Sequence, residues 1–168
     1  MKRYTIAVLV RNEFGVLNRV TSMFRRRQFN ITSLTVSETE SSKFSRITVT
    51  FDDESGKKDQ LINQLYKLPD VVSIRELNSE NCVSLELLLI KMANEAATRG
   101  DIRTAADAFG AEIMDYSKES MMFRLTAESR KIDDFIKLMM DFSIIEICRT
   151  GIVSLEKGSD TLRVVTNL

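Results

Sequence analysis

The stretch "NEFGVLNRV", residues 12–20, places an amide side chain and a glycine between an extended segment and an amphipathic helix. Backbone N–H groups at a helix N-terminus have no intrahelical acceptor and attract an anion such as a carboxylate. Asn12 adds a donor and an acceptor, and Gly15 lets a small ligand approach the backbone without a Cβ in the way. Such a loop suits a zwitterionic amino acid. The alternative is structural, with Asn12 as a helix N-cap and Gly15 as a turn residue.

The chain lacks the residue combinations that an independent catalyst needs. It contains no histidine, which excludes His-based triads and imidazole metal sites. Cys82 and Cys148 fall outside any CxxC spacing, and we interpret both as small buried apolar residues. No P-loop or GxGxxG motif occurs, and the acidic residues do not follow calcium-ligand spacing. We therefore expect no catalytic residues, no metal site and no cofactor on this chain.

The composition is typical of a globular protein without a general attraction to nucleic acid or membranes. The 168 residues include 24 basic and 24 acidic side chains, which gives a net charge of zero. The N-terminal apolar run is short, is interrupted at Arg11 and precedes no small-residue cleavage site, unlike a signal peptide. No segment approaches the ~20 apolar residues of a membrane span. We expect a cytoplasmic protein that binds neither nucleic acid nor membrane.

Apolar periodicity in the first half predicts the order βαββαβ. Alternation in "YTIAVLV" predicts a strand, and the next apolar residues fall on one face of a helix: Val16, Leu17, Val20, Met23 and Phe24. The β-branched runs "NITSLTVSE" and "FSRITVTF" predict a hairpin. A second helix that Pro69 terminates and a strand in "VVSIREL" complete the order.

The second half repeats that order after the polar link "NSEN". Strands are predicted in "CVSLELLLIKM", "AEIMDYS", "SMMFRLT" and "SIIEICRTGIV", and helices around residues 102–109 and 132–139, with Gly110 ending the first of them. The fold class is α+β, with two tandem ferredoxin-like βαββαβ domains at 1–78 and 82–168. Each domain would carry two helices on one face of an antiparallel sheet. The stretch from Glu156 onward is either a further strand or a loose tail. Open sheet edges favour assembly, most simply a two-fold homodimer.

Several long stretches together resemble one family. "RNEFGVLNRVTSMFRRRQFNITSLTVSET" followed by "FSRITVTF" is similar to the start of the small regulatory subunit of acetohydroxyacid synthase, also called acetolactate synthase. The similarity continues through "QLYKLPDVVSIREL", "ELLLIKM", "KIDDFIKLMM" and "IIEICRTGIVSLEKG". It implies that the first domain is an ACT domain, the amino-acid-sensing βαββαβ module, and that the second is the C-terminal ferredoxin-like domain of the small subunit.

The resemblance also implies a function. In this family the small subunit has no synthase activity of its own. It binds the catalytic large subunit, which is expected to carry thiamine diphosphate, Mg and FAD. It raises the activity of that subunit and confers feedback inhibition by valine or another branched-chain amino acid. The pathway is branched-chain amino acid biosynthesis.

The family's effector site lies at the interface of two ACT domains. One chain supplies the loop from Asn12 to Leu17, and the other supplies the start of the second strand. The implied effector-binding residues are Asn12, Gly15, Val16, Leu17, Asn30 and Ile31. The two asparagines would make polar contacts with the effector. Gly15 and the backbone amides that follow it would bind the carboxylate, and the three apolar residues would form the walls of the pocket.

The sequence departs from the family pattern near this site. Phe14 stands where the loop usually carries proline or a small residue, and Gln28 stands where a glycine normally ends the helix. A glutamine there has a free-energy cost if its φ is positive. Further departures are Ser22, Leu85, Gly110, Ala127 and Ser143. The retained Asn12, Gly15 and Asn30 favour effector binding.

Other functions are compatible with parts of the sequence. RNA-recognition domains share the βαββαβ order, but "FSRITVTF" carries aromatics only at its ends and the net charge is zero. An ACT-type sensor that regulates a different enzyme remains an alternative. The "RRR" run at 25–27 is either a solvated helix end that complements the helix dipole or a surface facing an acidic patch on the catalytic subunit.

Overall fold

Two compact units make up the chain. The computed structural model describes residues 2–54, 56–159 and 161–162. The first unit contains the residues up to Ser84 together with those from Ile152 onward, and the second contains residues 85–151. The predicted α+β class, with two antiparallel sheets each carrying two helices, is confirmed.

The first unit has a four-stranded antiparallel sheet. Its elements are β1 (Lys2–Arg11), α1 (Val16–Arg26), β2 (Asn30–Glu38), β3 (Phe44–Asp53), α2 (Lys58–Leu65) and β4 (Val71–Glu76). The strand order is β2-β3-β1-β4, so β2 lies at one edge of the sheet. This is the ferredoxin-like order that the sequence predicts.

The core of the first unit fixes α1 on the sheet. Alternation along β1 and β3 directs one set of apolar side chains toward the helices. The buried cluster there includes Ile6, Val8, Val10, Val16, Val20, Phe24, Ile47, Val49, Phe51, Leu61 and Leu65. Phe24 and Phe29 both meet the Phe51 ring edge-on at 5.4 Å between centroids. Because α1 is anchored along its length, its N-terminus is held at the end of β1.

The second unit repeats the arrangement. Its elements are β5 (Cys82–Ala93, which begins in the first unit), α3 (Arg99–Phe109), β6 (Glu112–Tyr116), β7 (Ser120–Ala127), α4 (Ser129–Met139) and β8 (Ile144–Arg149). The order is β6-β7-β5-β8. Gly110 ends α3 with a φ of 72°, as predicted. The interpretation of both cysteines as buried is correct for Cys82 but wrong for Cys148, because Cys148 lies on an exposed edge strand.

The segment after residue 151 packs with the first unit. It contains β9 (Val153–Glu156), which pairs with β5. Arg46 Nη2 donates to the Ser154 carbonyl at 2.7 Å, and the Ile152 N–H donates to Ser33 Oγ at 3.1 Å. Burial lowers the pKa of Arg46. The strand predicted in "SIIEICRTGIV" is therefore interrupted at residues 150–152 and divided between β8 and β9. Beyond Glu156 the described residues 157–159 and 161–162 form no further strand, and residues 160 and 163–168 lie outside the described part. The assignment of 82–168 to one domain stays a prediction.

Candidate functional site

The loop between β1 and α1 turns through Gly15. Gly15 is the N-cap of α1 with a φ of 79°, and no side chain caps the helix. The structural alternative for Asn12 as the N-cap is therefore wrong. A φ in the left-handed region favours glycine, because a Cβ there is strained. A Cβ added at Gly15 would also lie 3.3 Å from Arg19 Nη1.

Asn12 holds this loop to the hairpin between β2 and β3. Its backbone N–H donates to the Lys43 carbonyl at 2.8 Å. Its Nδ2 donates to Glu38 Oε1 and to the Ser42 carbonyl, both at 3.0 Å. These two acceptors define which end of the side-chain amide is nitrogen and use both of its hydrogens. Among the described residues no donor reaches Oδ1, so Asn12 presents a carbonyl acceptor.

The first turn of α1, which follows the Asn12 loop, presents N–H donors. The first intrahelical bond runs from the Arg19 N–H to the Gly15 carbonyl at 3.0 Å. The N–H groups of Leu17 and Asn18 therefore have no intrahelical acceptor. The first turn contains no acidic residue, so no carboxylate of the helix competes for its positive end.

Arg19 adds positive charge next to Gly15. Its Nε donates to Asp70 Oδ2 at 2.7 Å, and the Asp70 carbonyl accepts the Arg11 N–H at 2.9 Å. Asp70 is buried, whereas the Arg19 side chain is 44% exposed. The guanidinium is thus held at the loop with part of its surface open to solvent.

Asn30 lies at the other end of the sheet from Asn12. It is the first residue of β2 and is the register partner of Asp52, whereas Asn12 bonds to Glu38 at the last residue of β2. The extended chain from residue 30 to residue 38 spans about 26 Å. At the Asn30 end, the bond from Arg3 lowers the pKa of the Asp52 carboxyl. Within one chain the structure does not bring Asn30 or Ile31 to the Asn12 loop.

The predicted apolar walls differ in exposure. Val16 is buried in the core cluster, whereas Leu17 is 40% exposed beside the loop. Ile31 is half-buried against the core. Phe14 is fully exposed at the tip of the loop. Leu17 and Phe14 are therefore the apolar side chains that this end of the sheet offers to a ligand.

Two kinds of feature are absent from the part of the chain that the structure describes. No group of three or more Cys, Asp or Glu side chains there could hold a metal ion. A bilayer crossing takes about 20 apolar residues, and the described helices do not reach that length and hydrophobicity.

Comparison with known proteins places this geometry in a family. Residues 6–73 match a family model described as an acetohydroxyacid synthase small subunit-like ACT domain, and residues 85–158 match one described as the small subunit of acetolactate synthase. The acetolactate synthase small subunit of Mycolicibacterium smegmatis is 40% identical over 155 residues, which cover 92% of this chain and 91% of that protein. The chain belongs to the acetolactate synthase small-subunit family.

Two further small subunits are similar. That of Bacillus subtilis is 39% identical over 161 residues, covering 95% of this chain and 92% of the relative. The crystal structure of the small subunit from Thermotoga maritima has a TM-score of 0.86 and 31% identity, covering 95% of this chain and all of that one. The expectation of a non-catalytic regulatory subunit agrees with this membership.

The second unit of this small subunit contains an equivalent of Asn12 that sequence reasoning missed. The Asn94 N–H donates to the Glu119 carbonyl at 2.9 Å, and its Nδ2 donates to the Ser117 carbonyl at 2.5 Å. Asn94 therefore anchors its loop to the following hairpin as Asn12 does. Arg99 Nε, however, donates to Asn94 Oδ1 at 2.5 Å. The side-chain carbonyl of Asn94 therefore already accepts a hydrogen bond within the chain, whereas that of Asn12 is open to a ligand.

Sequence reasoning also missed Glu38, Ser42 and Asp70, which position the loop and Arg19. Each is separated from its partner by many residues, so no local pattern connects them. The sequence does predict that Arg19 lies near Gly15. Residues i and i+4 of a helix are neighbours, and Arg19 follows Gly15 by that spacing.

Proposed function

We propose that this small subunit binds a branched-chain amino acid, with valine as the first candidate, and couples its binding to the activity of a thiamine-diphosphate-dependent catalytic subunit. The subunit would raise the activity of that enzyme and confer feedback inhibition on it. The observation that carries the proposal is that one loop combines the open carbonyl of Asn12 with the free N–H groups at the start of α1. Its relatives are named as small subunits of acetolactate synthase, and these names indicate which enzyme the subunit would regulate.

The loop favours one orientation of the ligand. Because both Nδ2 hydrogens of Asn12 are used, its Oδ1 accepts from the ligand's ammonium group. The carboxylate then lies at the N–H groups of Leu17 and Asn18, where the helix dipole favours negative charge. A zwitterionic amino acid satisfies both ends of this arrangement at once.

The open edge of β2 supports a site shared between two chains. Among the described strands β2 pairs with β3 alone, so its outer edge can pair with a second copy. In a two-fold antiparallel pairing centred on Leu34, Asn30 of one chain lies across from Glu38 of the other. Glu38 holds Asn12. Within one chain the two asparagines are about 26 Å apart. In the homodimer, Asn30 of one chain would instead lie near Asn12 of the other.

The residues around the site are suited to a ligand with an apolar side chain. Leu17 is partly exposed on one chain, and the partner chain's Ile31 would approach with Asn30. Selectivity among amino acids would then depend on the size of the cavity between these residues rather than on charge. Valine, leucine and isoleucine are the candidates that such walls accept.

The catalytic chemistry would belong entirely to the partner. Thiamine diphosphate, Mg and FAD are expected on the large subunit, and this chain would bind none of them. A sensor that regulates a different enzyme is the second candidate function, because an ACT-type site carries no information about the enzyme it controls.

Reconstitution tests the proposal. The chain is purified alone and together with the large thiamine-diphosphate enzyme of the same cell, and acetolactate formation from pyruvate is measured with and without each branched-chain amino acid. We expect no turnover by the chain alone, a higher rate when both are mixed, and inhibition by valine. Robust turnover by the chain alone would contradict the proposal. Valine binding without any effect on this enzyme would favour the second candidate.

A further inference from the structure

A cavity lined by unpaired cations lies between the end of α1 and the start of α2. It has a volume of about 190 Å³, and its polar lining consists of Arg26, Arg27, Gln28, Lys57 and Gln60. It contains three positive side chains and no carboxylate. The buried side chains of Phe29 and Leu61 form its floor.

The three cations have no acidic partner among the described residues. Elsewhere in the first unit Arg3, Arg19 and Lys58 each pair with a carboxylate at 2.8 Å or closer. The cations that line the cavity take part in no such pair within the described ranges. Three like charges around one cavity repel each other, and an anion between them would relieve that repulsion.

Gln28, on the rim of the cavity, is held in a strained conformation. Its φ is 62°, and among the described residues it alone is a non-glycine with positive φ. This conformation ends α1, because the Phe29 N–H donates to the Phe24 carbonyl at 3.0 Å in the manner of a left-handed helix C-terminus. Gln28 is one of the residues that line this cavity. A glycine would fit the backbone without strain but would bring no amide.

We propose that this cavity binds a small phosphate-type oxyanion. Guanidinium groups match the oxygens of phosphate with paired N–H donors, and a phosphate of charge near −2 balances most of the three cations. The volume is below the roughly 300 Å³ at which pockets for larger organic ligands begin.

An adjoining cavity leaves room for the remainder of a phosphate ester. It has a volume of about 470 Å³ and shares Arg27, Gln28 and Lys57 with the first. Its lining also includes the acidic residues Asp52, Asp53 and Glu54. Carboxylates repel a second phosphate but accept hydrogen bonds from hydroxyl groups, so this side of the site suits a hydroxylated ester.

Calorimetry at constant ionic strength tests this site on the full chain. Sodium phosphate and glycerol 3-phosphate are titrated separately, with sodium chloride replacing them in the reference titration. We expect saturable binding of one phosphate per chain, and tighter binding of the ester identifies a phosphorylated metabolite rather than free phosphate. Arg27→Gln and Lys57→Gln should each weaken binding about tenfold, the usual effect of losing one hydrogen bond to a charged group.

Arg25→Gln is the matched control. Arg25 belongs to the same basic run but does not line the cavity, so its loss should leave phosphate affinity within about twofold. Circular dichroism establishes that each variant is folded. Absence of saturable binding to the wild-type chain would overturn the proposal, as would an equal loss in Arg25→Gln. If phosphate does not bind while Arg27→Glu abolishes co-purification with the catalytic subunit, the patch is a protein-docking surface and the proposal is wrong.

Discussion

Asn12 and Asn30 lie at opposite ends of the same antiparallel sheet, although family resemblance assigns both to one effector site. The Asn12 side chain bonds to Glu38 at the end of β2, while Asn30 begins that strand beside Asp52. No rearrangement that keeps the register of β2 and β3 brings the two residues together in one chain. In the proposed homodimer, a two-fold pairing of β2 edges would do so without altering either chain, and effector binding and dimerisation would then be linked equilibria.

Replacement of Gly15 by aspartate should abolish feedback while the chain stays folded. The new carboxylate occupies the position of the ligand's carboxylate and repels it. The Cβ would meet the flexible end of Arg19 at 3.3 Å, and the positive φ adds a cost of about 1 kcal/mol. A valine titration of the reconstituted complex measures the effect.

Gly110→Asp is the control for that variant. Gly110 has a similar φ of 72° in the second unit, with nothing within 4 Å of an added Cβ. It should lose comparable stability and keep the valine response. An unchanged inhibition curve in folded Gly15→Asp would mean that Gly15 only shapes a turn.

Removal of the Glu38 carboxylate should weaken valine binding without touching the ligand. Glu38→Ala frees one hydrogen of the Asn12 amide, so the amide is no longer held with its carbonyl toward the site. Because this bond is exposed, its loss should have a net effect of about 1 kcal/mol, which corresponds to a roughly fivefold weaker affinity. Calorimetry on the dimer measures it, with Glu40→Ala as the neighbouring exposed control. Equal affinities in both variants would show that this bond does not orient Asn12.

Relief of strain at Gln28 should stabilise the first unit. Gln28→Gly removes the Cβ from a residue with a φ of 62°, so the free energy of unfolding should rise by up to about 1 kcal/mol. Gln60→Gly, on the exposed face of α2, should instead lower it by about 0.5–1 kcal/mol. Urea denaturation measures both. A loss of stability in Gln28→Gly would mean that the glutamine side chain contributes more than the strain costs.

Arg149 should be a stability determinant of the second unit. It donates to the buried Glu86 and, at 2.7 Å, to Asp133, while Ser129 also donates to Glu86 at 2.9 Å. Burial opposes the charge of Arg149, but the bonds to these two carboxylates outweigh it and raise its pKa.

Arg149→Leu leaves Glu86 buried without its cation, which should lower the free energy of unfolding by about 3 kcal/mol. Arg124→Leu breaks only the exposed pair with Glu112 and should cost less than about 1 kcal/mol. Urea unfolding of both variants measures the difference, and equal losses would contradict a special role for the buried pair.

Periodicity was sufficient for the fold but not for the site. Strand alternation and helix faces predict both βαββαβ units, and Gly110 marks the end of α3 because a left-handed C-cap is a local property. The site residues came from family resemblance, since nothing local connects Asn12 with Glu38 or Ser42. Their hydrogen bonds form only after β1 and the hairpin meet in the sheet.

Exposure was the least predictable property. Val16 and Leu17 are adjacent apolar residues at the start of α1, yet one is buried in the core and the other is 40% exposed. Cys148 was expected in the core and lies exposed on β8. Adjacent residues of a helix point about 100° apart, so Val16 faces the sheet and Leu17 does not. Cys148 is exposed because β8 is an edge strand, and the composition does not show which strand lies at an edge.

A mixed dimer tests the shared site most directly. Gly15→Asp and Asn30→Ala chains are co-expressed with different tags, and the heterodimer is purified through both. If each site combines the Asn12 loop of one chain with Asn30 of the other, the two defects fall together in one site and the second site is intact. Calorimetry should then find one valine per heterodimer with wild-type affinity, whereas neither homodimer binds. Absence of valine binding by the heterodimer, while the wild-type dimer binds two, would show that the site does not combine Gly15 of one chain with Asn30 of the other.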